Sequence, residues 1–418
     1  MLQTMGERAV TNEFVKPAAR RNSASKLPFD VPLLLIVASL LVIGLLMVYS
    51  TSLDASLRMG KEPTYIFTRQ IMWVLLGIAL AVGLSFLDYH FYRPFVLIAL
   101  GVVLVLLLAV LIRNDIRFNS SRALFEGSFQ PSEFAKLGII LYLSFWLSSH
   151  RDTMNLLGDG LLPLLFIVGL TAGMIVLQPD LSAAATVVLL GILLFFLAGG
   201  DLKKLLIFVV FVVGIGAVVV SISRTGQARI SDYLSGLKDL TGSSYHVQRI
   251  YEAIIKGGLF GVGIGEADTK FTGLPLPHTD SIFAVIAEET GLVGAFLVVA
   301  LYVLLLWRGL VIARRAPDQL GSLISFGLIS WIALEALMNV SVIVGLFPFT
   351  GNALPLISAG GSSMLATMSS LGIVMNVARQ GVAKESAERS QTSAIVDLRR
   401  RDRRRSVSGA NRFGNPQE

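Results

Sequence analysis

The titratable residues of this sequence gather beside prolines and glycines, in breaks between apolar stretches. Leu274-Pro275-Leu276-Pro277-His278-Thr279-Asp280 leads into an apolar segment that carries Glu288 and Glu289. A carboxylate placed like Asp280 can serve as a general base that takes a proton from a hydroxyl, and it can equally cap the helix that follows. His278 has two readings of the same kind, a satisfied loop histidine or a base at a membrane interface. Gln130-Pro131-Ser132-Glu133-Phe134-Ala135-Lys136 and Gln178-Pro179-Asp180-Leu181-Ser182 each set an acid just after a proline. Proline suits a first helical turn and the helix dipole favours an acid there, so capping is the plain reading of both. Lys136 lies three residues after Glu133, a spacing that pairs two side chains on one helix face. Such a pair at membrane depth faces a cavity or the bundle interior.

Glycine marks two further stretches. Gly360, Gly361 and Ser362, within Pro355 to Ser363, can bring backbone N–H groups to a helix start. That arrangement suits an anion such as pyrophosphate, and tight helix packing explains the same residues. The run Gly257 to Gly265 lacks the G-x-G-x-x-G spacing and any βαβ unit, which leaves close chain packing or a tight turn. No P-loop lysine motif occurs. The chain has no cysteine, which excludes disulfides, thiolate metal sites and a cysteine nucleophile.

These residues must be positioned by apolar elements. The 418 residues are 54% hydrophobic with mean hydropathy +0.71, and the apolar content comes in long blocks. A bilayer core about 30 Å thick needs about 20 such residues per helix. The pattern predicts an all-α polytopic membrane protein of about ten spans, near 31–50, 70–87, 95–112, 134–149, 161–177, 183–199, 203–221, 281–307, 321–345 and 363–378. Charges within them, Glu288, Glu289 and Glu335, are expected to face inward and find partners.

Arg20, Arg21 and Lys26 precede the first span, and Arg399, Arg400, Arg401, Arg403, Arg404 and Arg405 follow the last. The positive-inside rule therefore places both termini in the cytoplasm and the breaks at 113–133, 178–182, 222–280 and 346–362 on the outer side. Those four breaks are expected to converge on one outer cavity. The longest, 222–280 between spans seven and eight, holds an amphipathic pattern over Tyr245 to Leu259. Residues 1–29 and 380–418 are polar and basic and are expected to be disordered, with the arginine cluster either anchoring the topology or meeting anionic membrane lipids. Nucleic acid is not an expected partner. Arg113, Arg117 and Arg122 fall on the outer side against the rule, which points to an anionic ligand.

With these motifs in this order over residues 31–379, the chain resembles the SEDS family of bacterial membrane glycosyltransferases, whose best-known branches are FtsW and RodA. The resemblance implies a peptidoglycan polymerase that joins lipid II into a nascent glycan strand at the outer face of the plasma membrane. It also implies a class B penicillin-binding protein as partner within divisome or elongasome, and the long basic tails incline toward the division branch. Asp280 matches the family's catalytic aspartate. Arg122, Lys136, Arg249 and Lys256 are candidates for holding phosphates, and Glu133, Gln178, Asp180, His278, Thr279, Ser358, Gly360, Gly361, Ser362 and Ser363 for the remaining substrate contacts. No cofactor is implied beyond a divalent cation as the one candidate. Two departures stand out: Ser120-Ser121-Arg122-Ala123-Leu124 replaces the usual Gly-Ala-x-Arg-Trp, and Ala359 stands where the family carries tyrosine. The rival functions are a transporter that flips lipid II without chemistry and a non-catalytic division scaffold.

Overall fold

Lipid offers no partner to a backbone N–H or C=O, so apolar segments of this length must satisfy their own hydrogen bonds as helices. A computed structural model, which describes residues 29–113, 130–239 and 242–408, has this form. In chain order the helices are α1 (Val31–Arg58), α2 (Tyr65–Phe86), α3 (Arg93–Arg113), α4 (Pro131–Ser149), α5 (Leu162–Val176), α6 (Leu181–Leu197), α7 (Leu202–Ile222), α8 (Arg224–Lys238), α9 (Tyr245–Gly257), α10 (Ile282–Arg314), α11 (Gln319–Ile343) and α12 (Gly361–Ser408). Eight of them, α1, α2, α3, α5, α7, α10, α11 and α12, are long and apolar enough to cross a membrane. With α6, shorter at 17 residues, and α4, which carries Glu133 and Lys136, they account in order for every predicted span.

Polarity decides which helices lie inside. The helices α4, α11 and α12 bury Ser144, Ser325, Glu335, Asn339, Thr367 and Ser370, and they form the centre of the bundle. Helix α7, apolar beyond Lys203 and Lys204 in its first turn, turns most of its surface outward and packs only against α6 and α8 among the stronger contacts. A bilayer favours this inversion, because apolar side chains gain nothing from leaving lipid while polar ones do. The 222–280 break contains the expected amphipathic helix, α9, whose Ile250 and Ala253 pack into the core. It also contains α8, which the hydropathy pattern did not announce.

The glycine run works through close packing, as expected. Helix α10 breaks its helical path at Gly291, where φ is +69°. That kink frees the carbonyls of Glu288 and Glu289 to accept from Val262 N and Gly263 N at 3.0 and 3.1 Å, while Leu292 N and Val293 N donate back to Gly258 and Leu259. Both acids face inward and are partnered. Glu288 accepts from Asp268 N at 3.1 Å and from the Thr269 hydroxyl, and Glu289 meets Lys270 Nζ at 2.7 Å, with Ser50 Oγ bonded to both. The chain from α9 to α10 is thereby fastened along its whole length. The 346–362 break is buried over Leu354 to Ser358, where Tyr302 donates to the Pro355 carbonyl and Gly44 of α1 admits the backbone of Leu356 and Ile357.

The tails differ from expectation where they are described. Helix α12 continues through Ser408 instead of ending near residue 380. No proline interrupts residues 361–408, and Ala, Glu, Gln and Arg propagate a helix already nucleated in the bundle. Residues 1–28 and 409–418 lie outside the described residues.

Gly291 gives the splice a direct test. A Cβ there would lie 2.4 Å from Gly261 N and from Leu259 O, at a φ that L-residues avoid. Gly291→Ala should cost on the order of 3 kcal/mol and lower the thermal midpoint in detergent, whereas Gly83→Ala, in open space, should not.

Candidate active site

One cavity of about 440 Å³ opens at the end of the bundle where the predicted breaks meet. Its walls come from the N-terminal parts of α2, α4, α6 and α12, Glu335 of α11, the 276–280 loop and the 351–353 stretch. Glu133, Lys136, Asp180, His278, Thr279, Asp280, Gly360, Gly361, Ser362 and Ser363 all line it. Motifs separated by more than 200 residues thus form one surface.

Hydrogen bonds across the breaks hold the walls. Ala359 N donates to His278 O at 2.8 Å, Ser358 Oγ to Thr279 O at 2.7 Å and Asn339 Nδ2 to Asp280 O at 3.1 Å. Gln70, buried in α2, accepts from Gly360 N at 3.2 Å and donates to Ser358 O at 3.3 Å, which sets the start of α12. Gln130 Nε2 bridges to Asp180 Oδ2 at 3.1 Å and Gln130 N donates to Ser362 Oγ at 3.3 Å.

The acids differ in their surroundings. Asp180 caps α6, accepting from Ala183 N at 3.2 Å and Ser182 Oγ at 3.0 Å, and its other oxygen faces Gln130. Asp280 lies one residue before the cap position of α10, Ser281, whose side chain makes no capping bond. It is half-buried in the cavity wall, with Gly351 held against its carboxylate. His278 is 8% exposed and its Nδ1 has no partner. Burial pulls that imidazole down to about 4, so it is neutral at physiological pH and offers a hydrogen bond without a charge. His246 behind the loop is likewise lowered to about 4 by burial; its Nε2 lies 2.6 Å from Ser281 Oγ.

Several predicted residues do not line the cavity. Gln178 is buried with Nε2 donating to Leu107 O at 2.9 Å, and Ser358 is buried in the grip described above; both support the walls. Arg249 and Lys256, expected among the phosphate-holding candidates, are not among the residues that line the cavity. Glu252 sits one helical turn from each on α9 and pairs with both, and Arg249 also donates to Thr272 O at 2.6 Å. Arg122 lies outside the described residues. Conversely, α2 brings Tyr65, Arg69, Gln70 and Trp73 to the cavity, a contribution the sequence reading missed. The signal was an Arg-Gln pair at the head of an otherwise apolar span.

At the cavity floor Lys136 is clamped between two acids. Its Nζ lies 2.6 Å from Glu133 Oε1 and is also bonded to Glu335 of α11, with the Trp331 ring 5.3 Å away. The second Glu133 oxygen, Oε2, has no partner. Buried charges of this kind cost little while paired and several kcal/mol once a partner is lost. Lys136→Met should destabilise the protein by about 3–5 kcal/mol, and adding Glu335→Gln should recover part of it. Thermal unfolding in detergent reads both, and a fully stable Lys136→Met would contradict the arrangement.

Residues 31–382 match the family model for FtsW, RodA and SpoVE, described as a cell cycle protein. The chain is 33% identical over 360 residues to a probable peptidoglycan glycosyltransferase FtsW of Trichlorobacter lovleyi, covering 84% of this chain and 93% of that one. It is 35% identical over 355 residues to the stage V sporulation protein E of Bacillus subtilis, covering 84% and 97%. Among solved structures, it superposes on a chain of a peptidoglycan synthase complex that coordinates polymerization and crosslinking, with TM-score 0.71 at 29% identity over 85% of this chain and 99% of that one. The rod shape determining protein RodA of Thermus thermophilus gives TM-score 0.63 at 28% identity over 85% and 98%. The order of the motifs, the helical bundle and these likenesses together place this chain in the FtsW, RodA and SpoVE family.

Proposed function

We propose that this chain is a peptidoglycan glycosyltransferase that polymerises lipid II at the outer face of the bacterial plasma membrane, with Asp280 as general base. The observation that carries the reading is the cavity, which brings the Asp280 carboxylate beside the N–H groups that open α12. Those first-turn N–H groups have no intrahelical acceptor and attract an anion.

The acceptor sugar's 4-hydroxyl oxygen attacks the donor's anomeric carbon from the face opposite the diphosphate. The new C–O bond forms as the bond to the diphosphate oxygen breaks, so the anomeric centre inverts. Asp280 takes the hydroxyl proton. The leaving diphosphate keeps the bonding electrons, and Arg69 with the N–H groups of Gly361, Ser362 and Ser363 meets that charge. Arg69 takes the role expected of Arg249 and Lys256. Neutral His278 orients a substrate hydroxyl or amide. Among the described residues no group of three or more His, Cys, Asp or Glu side chains is arranged to hold a metal ion. The donor is already activated, which fits a chain with no nucleotide motif.

A relative from a synthase complex supports a penicillin-binding partner that crosslinks the strands this chain makes. The FtsW-named relatives support a place in division. The basic residues at the opposite end, among them Lys203, Lys204, Arg314 and Arg315, support an outer location for the cavity. One observation favours a transporter instead: the Glu133–Lys136–Glu335 cluster lies within spanning helices.

The decisive measurement is lipid II polymerisation by the purified chain with its partner. Asp280→Asn should lower the rate by about 10²–10⁴-fold with an unchanged thermal midpoint; full activity in that variant would remove the base assignment, and inactive wild type that moves lipid II across vesicles would favour the transporter. Orientation has its own test, because the chain is free of cysteine. Glu62→Cys, in the α1–α2 turn at the cavity end, should react with a membrane-impermeant maleimide on intact cells, and Arg315→Cys should react only after permeabilisation.

A further inference from the structure

The carbonyls of His278, Thr279 and Asp280 are held by three donors of two kinds. Ala359 N and Ser358 Oγ belong to the break, whose backbone forms part of the cavity rim. Asn339 belongs to α11, is 2% exposed and stays outside the cavity lining. Its Nδ2 bonds Asp280 O at 3.1 Å and Asn352 O at 2.5 Å. Asn352 follows Gly351, whose φ of +69° sets its backbone so near that a Cβ there would lie 3.1 Å from Asp280 Oδ2. One amide therefore fixes both the backbone that bears the carboxylate and the backbone that the carboxylate rests against.

Stability alone gives a poor account of this residue. Its Oδ1 is buried without a partner, an arrangement that costs folding energy. Its position is well anchored, since Glu335, one turn earlier on the same face of α11, is bonded to Lys136 of α4. We infer that Asn339 is a positioning residue for Asp280, which aims the carboxylate at the acceptor hydroxyl through two loop carbonyls without touching substrate. The inference rests on the reading of Asp280 as general base.

Without the amide, the base loop stays tethered through Ser358 and Ala359, so the cavity persists and substrate binds while the carboxylate loses its aim. A displacement of about 1 Å at a reacting group costs on the order of 100-fold in rate. In the polymerase assay with the full chain and its partner, Asn339→Ala should lower kcat about 100-fold with KM unchanged. Gly351→Ala, which pushes on the carboxylate from its other side, should do the same. The double variant should be no slower than the slower single one, because both act on one unit. Asn339→Ser, which keeps a hydroxyl donor, should recover part of the rate, and it replaces Asn339→Ala in the cycle if that variant does not fold. A kcat loss that only tracks the folded fraction, a rise in KM with kcat kept, or losses that multiply in the double variant would overturn the proposal. Failure of the base reading is separately visible as full activity in Asp280→Asn.

Discussion

Hydrocarbon supplies no acceptor to an amide and no counter-ion to an ammonium, so each polar group carried into this bundle must find its partner inside the protein. The cluster of Lys136 with Glu133 and Glu335 meets that demand for α4 and α11 and draws the two helices together at the cavity floor. The same demand explains why α11 and α12, the more polar spans, are central while apolar α7 lies outermost. Helix order across the bundle is thus set by where charge and amide can be satisfied more than by apolar contact.

Irregular backbone is tolerated under the same constraint. The 346–362 break enters the bundle because Tyr302, Asn339, Gln70 and the base loop take up its carbonyls and N–H groups. The kink of α10 at Gly291 is stable because the carbonyls it frees accept from the glycine run after α9. These two devices give the site its geometry: one fixes the loop that carries Asp280, the other anchors the chain leading into it. A cavity whose rim backbone is held by Asn339, Ser358 and Gln70 can present a half-buried acid and the start of α12 without collapsing around them.

The charge-bearing motifs were legible as chemistry but not always as location. Glu133, Lys136, Asp180 and the 278–280 triplet sit where breaks meet spans, and helix length carries all of them to one end of the bundle. Arg249 and Lys256 lie in the same region of sequence yet serve α9, because Glu252 stands one turn from each and captures them. Arg69 and Gln70 were missed because they open a span that reads as apolar, and only the packing of α2 against α12 turns them to the cavity.

By itself the sequence determined the membrane class, the order of the apolar helices and the amphipathic α9, since each follows from local period, length or spacing. Tertiary structure decided where each acid sits, as Asp180 caps α6 while Asp280, one residue before the cap position of α10, stands in the cavity wall. It also decided which cation faces the cavity and which amide, that of Asn339, holds the base loop. The reason is physical: a cap or a span is a property of neighbouring residues, whereas the partner of a buried charge or carbonyl is set by which helix packs beside it.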